Sequence, residues 1–100
     1  MVFSTAPDRA TAERIAHALV EERLAACVNV LPGVTSIYRW KEKIERDAEV
    51  LCVIKTRASL LARLSRRLSD LHPYDVPEVV GVRIAGGARP YLEWLLEQTR

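Results

Sequence analysis

Two cysteines in a chain of 100 residues are too few and too far apart to form a metal or redox motif. Cys27 and Cys52 lie among Val and Leu residues, without the CxxC spacing of zinc sites and dithiol redox centres. We therefore expect two reduced thiols in apolar surroundings and no disulfide between them. The loop after the first predicted strand, Thr5-Ala6-Pro7-Asp8, also lacks the paired thiolates of a heavy-metal chaperone.

Long apolar runs and clustered charge are also missing. No segment approaches the roughly 20 apolar residues of a membrane span, and the first residues lack the basic start and apolar centre of a secretion signal. We therefore expect no membrane partner and a cytoplasmic location. The formal net charge is only +2, whereas nucleic-acid binding normally relies on a concentrated basic surface. Residues 50–54 carry no aromatic side chain for base stacking, so no nucleic-acid partner is expected.

Hydrophobic residues are plentiful. They make up 49% of the chain, which is typical of a globular protein. The length is that of one domain, so we expect a single domain over residues 1–100. A domain this small leaves a large share of its surface exposed, and association between copies would cover part of it.

The first half of the chain predicts a strand, a helix and a long hairpin. Asp8 is a good N-cap for a helix that runs to about Leu24 and buries a stripe of apolar side chains. Residues 27–40 follow as a strand with a kink at Pro32-Gly33. Residues 44–55 return, and the apolar run at 50–54 predicts a central strand covered on both faces. The stripe on the helix consists of Ala12, Ile15 and Leu19.

The second half predicts a helix, a strand and a further helix. Leucines recur at helical spacing from Leu61 to Leu71, and His72-Pro73 ends that helix. Residues 79–84 form a fourth apolar strand, and Pro90 opens a last helix that presents Leu92, Leu95 and Leu96 to the core. This order predicts an α+β, ferredoxin-like βαββαβ sandwich with a long central hairpin and an extra C-terminal helix.

The densest group of polar side chains lies between the second helix and the fourth strand. Two prolines hold His72, Tyr74, Asp75 and Glu78 on one stiff loop. Imidazole and carboxylate groups on such a loop can form a ligand or metal site, but the loop can also be a rigid connector from helix to strand. Both interpretations stay open. Tyr38 and Trp40 likewise fit either a pocket or a protein interface.

No catalytic group is apparent from the residues. Ser4, His17 and Asp8 include the residue types of a hydrolytic triad, but His17 falls inside the first predicted helix and Ser4 is not at a nucleophile elbow. Arg9 lies near the first loop, yet that loop has no glycine and Pro7 lacks a backbone donor, so it does not predict a phosphate site. The arginines of the second helix indicate a solvated face. We therefore predict a protein without enzymatic activity.

Several segments occur together, in order, along nearly the whole chain. They are Thr5-Ala6-Pro7-Asp8, Leu24-Ala25-Ala26-Cys27-Val28-Asn29, Pro32-Gly33, Ser36-Ile37-Tyr38-Arg39-Trp40, Lys55-Thr56, His72-Pro73-Tyr74, Pro77-Glu78 and Tyr91-Leu92-Glu93-Trp94-Leu95. This set resembles the CutA family, the divalent-cation-tolerance proteins. The resemblance implies a ferredoxin-like subunit, a homotrimer, an association with tolerance to copper and other divalent cations, and no established enzymatic activity.

Two positions depart from that family. Its copper site is associated with a cysteine near the end of the first strand and a histidine before the Pro-Tyr pair; here the cysteine position is Ser4, whereas His72 matches the histidine. We therefore expect weak divalent-metal binding, to copper for example, at His72. At the hairpin tip Glu42 stands where the family often has glycine. Tight turns favour residues that tolerate positive φ, so we expect a different or looser turn.

A second function is compatible with the same fold. The trimeric PII signalling proteins share this kind of subunit and bind metabolites between subunits. A PII-like small-ligand sensor is therefore the alternative, although the chain lacks the long flexible ligand loop of those proteins.

Overall fold

Four strands form one antiparallel sheet in the order β2-β3-β1-β4. The computed structural model describes residues 1–100, and its strands are β1 (Val2–Ala6), β2 (Cys27–Trp40), β3 (Lys43–Lys55) and β4 (Val80–Gly81). The first strand lies between the third and the fourth, so each strand–helix–strand unit skips one strand. This topology confirms the expected ferredoxin-like fold.

Three helices accompany the sheet: α1 (Arg9–Glu21), α2 (Leu61–Leu71) and α3 (Arg89–Gln98), with a short 3-10 turn at Ala58–Leu60 before α2. Asp8 caps α1 as predicted, because its Oδ1 accepts a hydrogen bond of 2.8 Å from the backbone N–H of Thr11. α2 ends at His72, which is extended before the proline. None of the helices combines the length and apolar character needed to cross a bilayer.

The core lies between one face of the sheet and the helices α1 and α2. Val50, Cys52 and Ile54 of β3 are buried there, against Leu19 of α1 and Leu64 of α2. Because side chains alternate along a strand, the residues between them point to the opposite face. We call that opposite side the open face: Phe3, Leu51 and Val53 are only partly buried there, and Leu31 is exposed. The expectation that β3 is covered on both faces is confirmed for the core face, whereas on the open face a single chain leaves Leu51 and Val53 partly buried.

The hairpin of β2 and β3 extends well beyond the core. The chain measures 44 × 25 × 22 Å with a radius of gyration of 14.0 Å, against about 12.7 Å for a compact domain of this length. The predicted kink is confirmed as a register shift between Leu31 and Val34, where Gly33 has φ 85°.

The hairpin tip is tighter than expected. Trp40 pairs directly with Lys43, and the two residues between them, Lys41 and Glu42, have φ values of 50° and 66°. Two consecutive residues in the left-handed conformation are typical of a two-residue hairpin turn, whose twist matches that of the flanking strands. Of the two alternatives expected, the looser turn is therefore wrong: strand twist imposes the tight turn although neither Lys41 nor Glu42 is glycine.

The C-terminal part also differs from the prediction. The fourth strand, expected over residues 79–84, has only two residues, which pair with Val2 and Phe3 of β1. Backbone hydrogen bonds between Met1 and Val82 continue this contact by one residue. Pro90 lies in the first turn of α3 as predicted, but only Leu95 of its three leucines is buried. This helix therefore packs on the core through a narrower face than expected.

Candidate functional site

A groove separates segment 72–78 from the middle of the β2–β3 hairpin. It has a volume of about 690 Å³ and is lined by Tyr38 and Trp40 of β2 and by Tyr74, Asp75 and Glu78 of the segment. We call it the hairpin groove. The structure therefore brings together two groups of side chains that the sequence singled out separately.

His72 ties the segment to the sheet. Its ring is buried; Nε2 lies 2.7 Å from the backbone oxygen of Thr5, and Nδ1 lies 3.1 Å from the backbone N–H of Tyr74. Because a carbonyl oxygen only accepts and an N–H only donates, these partners require Nε2 to donate and Nδ1 to accept. Both ring nitrogens are therefore engaged within the chain.

Tyr74 joins the same segment to β3. Its hydroxyl donates a hydrogen bond of 2.7 Å to Oε2 of Glu49, and its ring lies 4.6 Å from that of His72, centroid to centroid. Burial, followed by the bond to the Glu49 carboxylate, raises the pKa of Tyr74 above its usual value. The phenol therefore stays protonated and keeps the carboxylate in a fixed position.

A second tyrosine–carboxylate pair lies further along the hairpin. Tyr38 and Asp47 are diagonal neighbours on adjacent strands, and the Tyr38 hydroxyl donates to Oδ2 of Asp47. This hydrogen bond is the main cause that raises the pKa of Tyr38 to about 12. Both phenols are thus donors to carboxylates that line the groove.

The expected metal site is incomplete. Ser4 is buried in β1 and lies opposite Cys52, whose thiol has its pKa raised by burial and so favours the protonated form. Asp75 and Glu78 are exposed, and no group of three His, Cys, Asp or Glu side chains converges on a common point. With both nitrogens of His72 engaged as well, these residues do not fit a high-affinity copper site.

The other polar residues of the sequence lie apart from the groove. His17 is on the exposed side of α1, 3.6 Å from Glu21, whereas Ser4 is buried in the sheet and Asp8 caps the helix. The residue types of a hydrolytic triad are therefore engaged in separate structural roles. Arg67 of α2 forms a salt bridge of 2.9 Å with Glu22, in keeping with a solvated helix face.

Asp47 and Glu49 are the site residues that the sequence reasoning missed. They are two positions apart on β3, so their side chains point to the same face. That face also carries Tyr38, through the pairing of Ser36 with Asp47. The available signal was a carboxylate directly before the buried run at Val50, a position where a polar residue needs a partner.

A family model described as CutA1 divalent ion tolerance protein matches residues 1–98. "Divalent-cation tolerance protein CutA" of Thermus thermophilus is 52% identical over 99 residues, which cover 99% of this chain and 96% of the relative. "Protein CutA, chloroplastic" of Arabidopsis thaliana is 47% identical over 100 residues, but the chain spans only 55% of that relative's length.

The solved structures agree with this similarity. The structure described as a divalent cation tolerance protein (Cut A1) from Thermus thermophilus superposes with a TM-score of 0.96 at 52% sequence identity, covering 99% of this chain and 96% of that one. At this level of identity the similarity extends to sequence as well as to fold.

Proposed function

Because the chain belongs to the CutA1 divalent ion tolerance protein family, we propose that it is a homotrimer associated with tolerance to divalent cations such as copper. In this proposal the chain binds metal weakly, catalyses no reaction and works in the cytoplasm. The Thermus thermophilus relative is described by cation tolerance rather than by a reaction. Both cysteines are free thiols, which suits a reducing compartment.

The proposal that the chain assembles rests on the open face of the sheet. The chain exposes 6680 Å², whereas a monomer of its mass, 11.3 kDa, exposes about 5,700 Å². The excess of roughly 1,000 Å² resembles the roughly 800 Å² that one partner contributes to a standard interface. The number three follows from the family resemblance. In such a trimer, Tyr38 and Trp40 near the hairpin tip would be partly buried by a neighbouring subunit.

Analytical ultracentrifugation at micromolar concentration tests the assembly. We expect the mass of a trimer for the unmodified chain and a smaller species for Leu31→Lys, which places a charge on the open face. Val20→Lys is the matched control, because Val20 and Leu31 are each 42% exposed but Val20 lies on α1. A monomer mass for the unmodified chain would refute the trimer, and an unchanged mass for Leu31→Lys would refute this interface.

Weak metal binding is proposed at His72. A metal could reach Nδ1 only by displacing the N–H of Tyr74, and Ser4 offers no thiolate; both facts oppose tight binding to reduced copper. Calorimetric titration of copper(II) into the unmodified chain, His72→Ala and His17→Ala tests this. The chain has two histidines, so His17→Ala controls for the other imidazole. Tight binding that survives His72→Ala would rule out His72 as the ligand.

The PII-like alternative has no support in these comparisons. The family model and the relatives named above are CutA proteins. A thermal-shift measurement with metals, nucleotides and small metabolites discriminates between the two, since a ligand of the folded state raises its apparent stability. A nucleotide that stabilised the chain more than every metal would favour the PII-like function.

A further inference from the structure

A second groove separates α3 from the end of the sheet. Its volume is about 540 Å³, and nine of its 13 lining residues are hydrophobic. They come from α3, from residues 56–61 around the 3-10 turn, and from the chain at residues 1–2 and 81–84. We call it the α3 groove. None of its lining residues belongs to the hairpin groove, and none is among the residues named for the open face.

The α3 groove accounts for two leucines that the sequence pattern placed in the core. Leu92 and Leu96 lie on α3 beside the buried Leu95, but both line the groove, and Leu96 is 48% exposed. Among the residues that line it from the other elements, Leu61 and Ile84 are also exposed. Apolar side chains that face a gap instead of one another lose dispersion contacts and stay in water. An apolar ligand between them restores those contacts.

The polar residues of the α3 groove carry charge of one sign only. Arg57 and Arg83 line it together with Thr56, and no lining residue is Asp or Glu. Neither arginine is in a salt bridge. Arg57 is also held in place, because its Nε donates a hydrogen bond of 3.0 Å to Oγ1 of Thr99 and its Nη2 donates to the backbone oxygen of Leu96. A guanidinium that is already ordered binds a carboxylate at a lower entropic cost.

Apolar walls, few polar groups and a volume of about 300–1,000 Å³ are typical of small-molecule sites. The α3 groove has all three, and its two guanidinium groups complement a negative charge. We propose that it binds a medium-chain aliphatic carboxylate. The carboxylate lies at Arg57 and Arg83, and the hydrocarbon chain lies along Leu61, Leu92 and Leu96. This proposal rests on neither the trimer nor the metal binding proposed above.

Calorimetric titration of octanoate into the assembled full-length chain tests the site. We expect saturable binding of octanoate and about 15-fold weaker binding of hexanoate, because it lacks two methylenes that each contribute about fourfold in affinity. Octylammonium, which has the same chain and the opposite charge, should bind at least about tenfold more weakly than octanoate. Equal affinity for octanoate and octylammonium, or no saturable octanoate heat at millimolar concentration, would overturn the proposal.

Two groove variants and two matched controls locate the binding. Arg83→Gln, at an exposed position, should weaken octanoate binding about tenfold, because a charge-assisted hydrogen bond is lost. Leu96→Asn should also weaken it, because it places an amide on the apolar wall. The controls Arg63→Gln and Val20→Asn change exposed residues outside the groove and should leave binding unchanged. Equal losses in the controls and the groove variants would show non-specific association and overturn the site.

A segment of a second copy is the competing occupant of the α3 groove. If a neighbouring subunit filled it, octanoate would give no saturable heat, and Arg83→Gln or Leu96→Asn would lower the mass measured by ultracentrifugation. That pair of results would overturn the proposal. Saturable octanoate binding that leaves the mass unchanged supports it, whether the mass is that of a trimer or of a monomer, so its outcome is separate from that of the proposed assembly.

Discussion

Removing the hydroxyl of Tyr74 should destabilise the protein far more than removing that of an exposed tyrosine. The Tyr74 hydroxyl is the only hydrogen-bond donor to Glu49, a carboxylate nine-tenths buried. A hydrogen bond to a charged group contributes roughly 1.5–3 kcal/mol, so Tyr74→Phe should lower the free energy of unfolding by about 2 kcal/mol. Tyr91→Phe is the control, because Tyr91 is exposed; it should change stability by less than about 0.5 kcal/mol.

A double-mutant cycle separates this bond from other effects of the substitution. Urea unfolding of the unmodified chain, Tyr74→Phe, Glu49→Gln and the double variant is compared at one protomer concentration, since assembly shifts apparent stability. We expect a coupling energy of roughly 1 kcal/mol or more between the two residues. Additive effects, or a cost for Tyr74→Phe no larger than for Tyr91→Phe, would refute the bond as the anchor of segment 72–78.

The pH dependence gives a second readout of the same bond. The pKa of Tyr74 is raised in the folded chain, so the folded state holds its phenolic proton at pH values where the unfolded chain releases it. This contribution is complete below about pH 10, the ordinary value for tyrosine, and is lost as pH rises further. The stability difference between the unmodified chain and Tyr74→Phe should therefore shrink above about pH 10. A constant difference from pH 7 to 11 would contradict this.

Four further substitutions or treatments test other parts of the fold. Glu42→Gly should stabilise the chain by roughly 0.5–1 kcal/mol in urea unfolding. Left-handed geometry costs a residue with a Cβ about 1–2 kcal/mol, and the larger backbone entropy that glycine loses on folding offsets part of the stability gained by removing the Cβ. A loss of stability would contradict this prediction. Leu64→Ala should cost about 2–5 kcal/mol, since Leu64 is fully buried, whereas the exposed Val20→Ala should cost under about 1 kcal/mol. The pKa of Asp8 is lowered chiefly by its hydrogen bond from the backbone N–H of Thr11. Asp8→Ala should therefore lower the melting temperature near neutral pH, and this loss should vanish as pH falls through the lowered pKa of Asp8. An equal loss at pH 2 and pH 7 would argue against the cap. Both cysteines should react with an alkylating reagent in denatured, non-reduced protein, whereas in the native chain the buried Cys52 should react slowly; two blocked thiols in the denatured chain would reveal a disulfide.

The elements predicted best from the sequence are those whose periodicity and end signals agree. Asp8 and the stripe of Ile15 and Leu19 specify the start and the buried face of α1, and both are confirmed. α2 was predictable for the same reason: its leucines recur at helical spacing, and the helix ends at the residue before a proline. Local side-chain chemistry determines these features, so the sequence contains them directly.

The features predicted less well depend on distant partners. The fourth strand has two residues rather than six, because its extent is set by pairing with β1, and an apolar run at 79–84 carries no information about which of its residues find that partner. The tight turn at Glu42 is imposed by the twist of two strands that pair through 24 residues, and the residues of the turn itself do not encode that twist. The pair of Tyr74 and Glu49 joins residues 25 positions apart. For that reason the loop at His72 was identified while its partner was missed.

The central position of β1 imposes an order on folding during synthesis. β1 is made first, but its neighbours are β3 and β4, so it has no strand to pair with until about 50 further residues have left the ribosome. At 5–20 residues per second, that interval lasts roughly 2–10 s. The β2–β3 hairpin is local and can form within microseconds of its release. The nascent chain therefore completes its hairpin before its first strand is protected, and the hairpin is the template on which that strand docks.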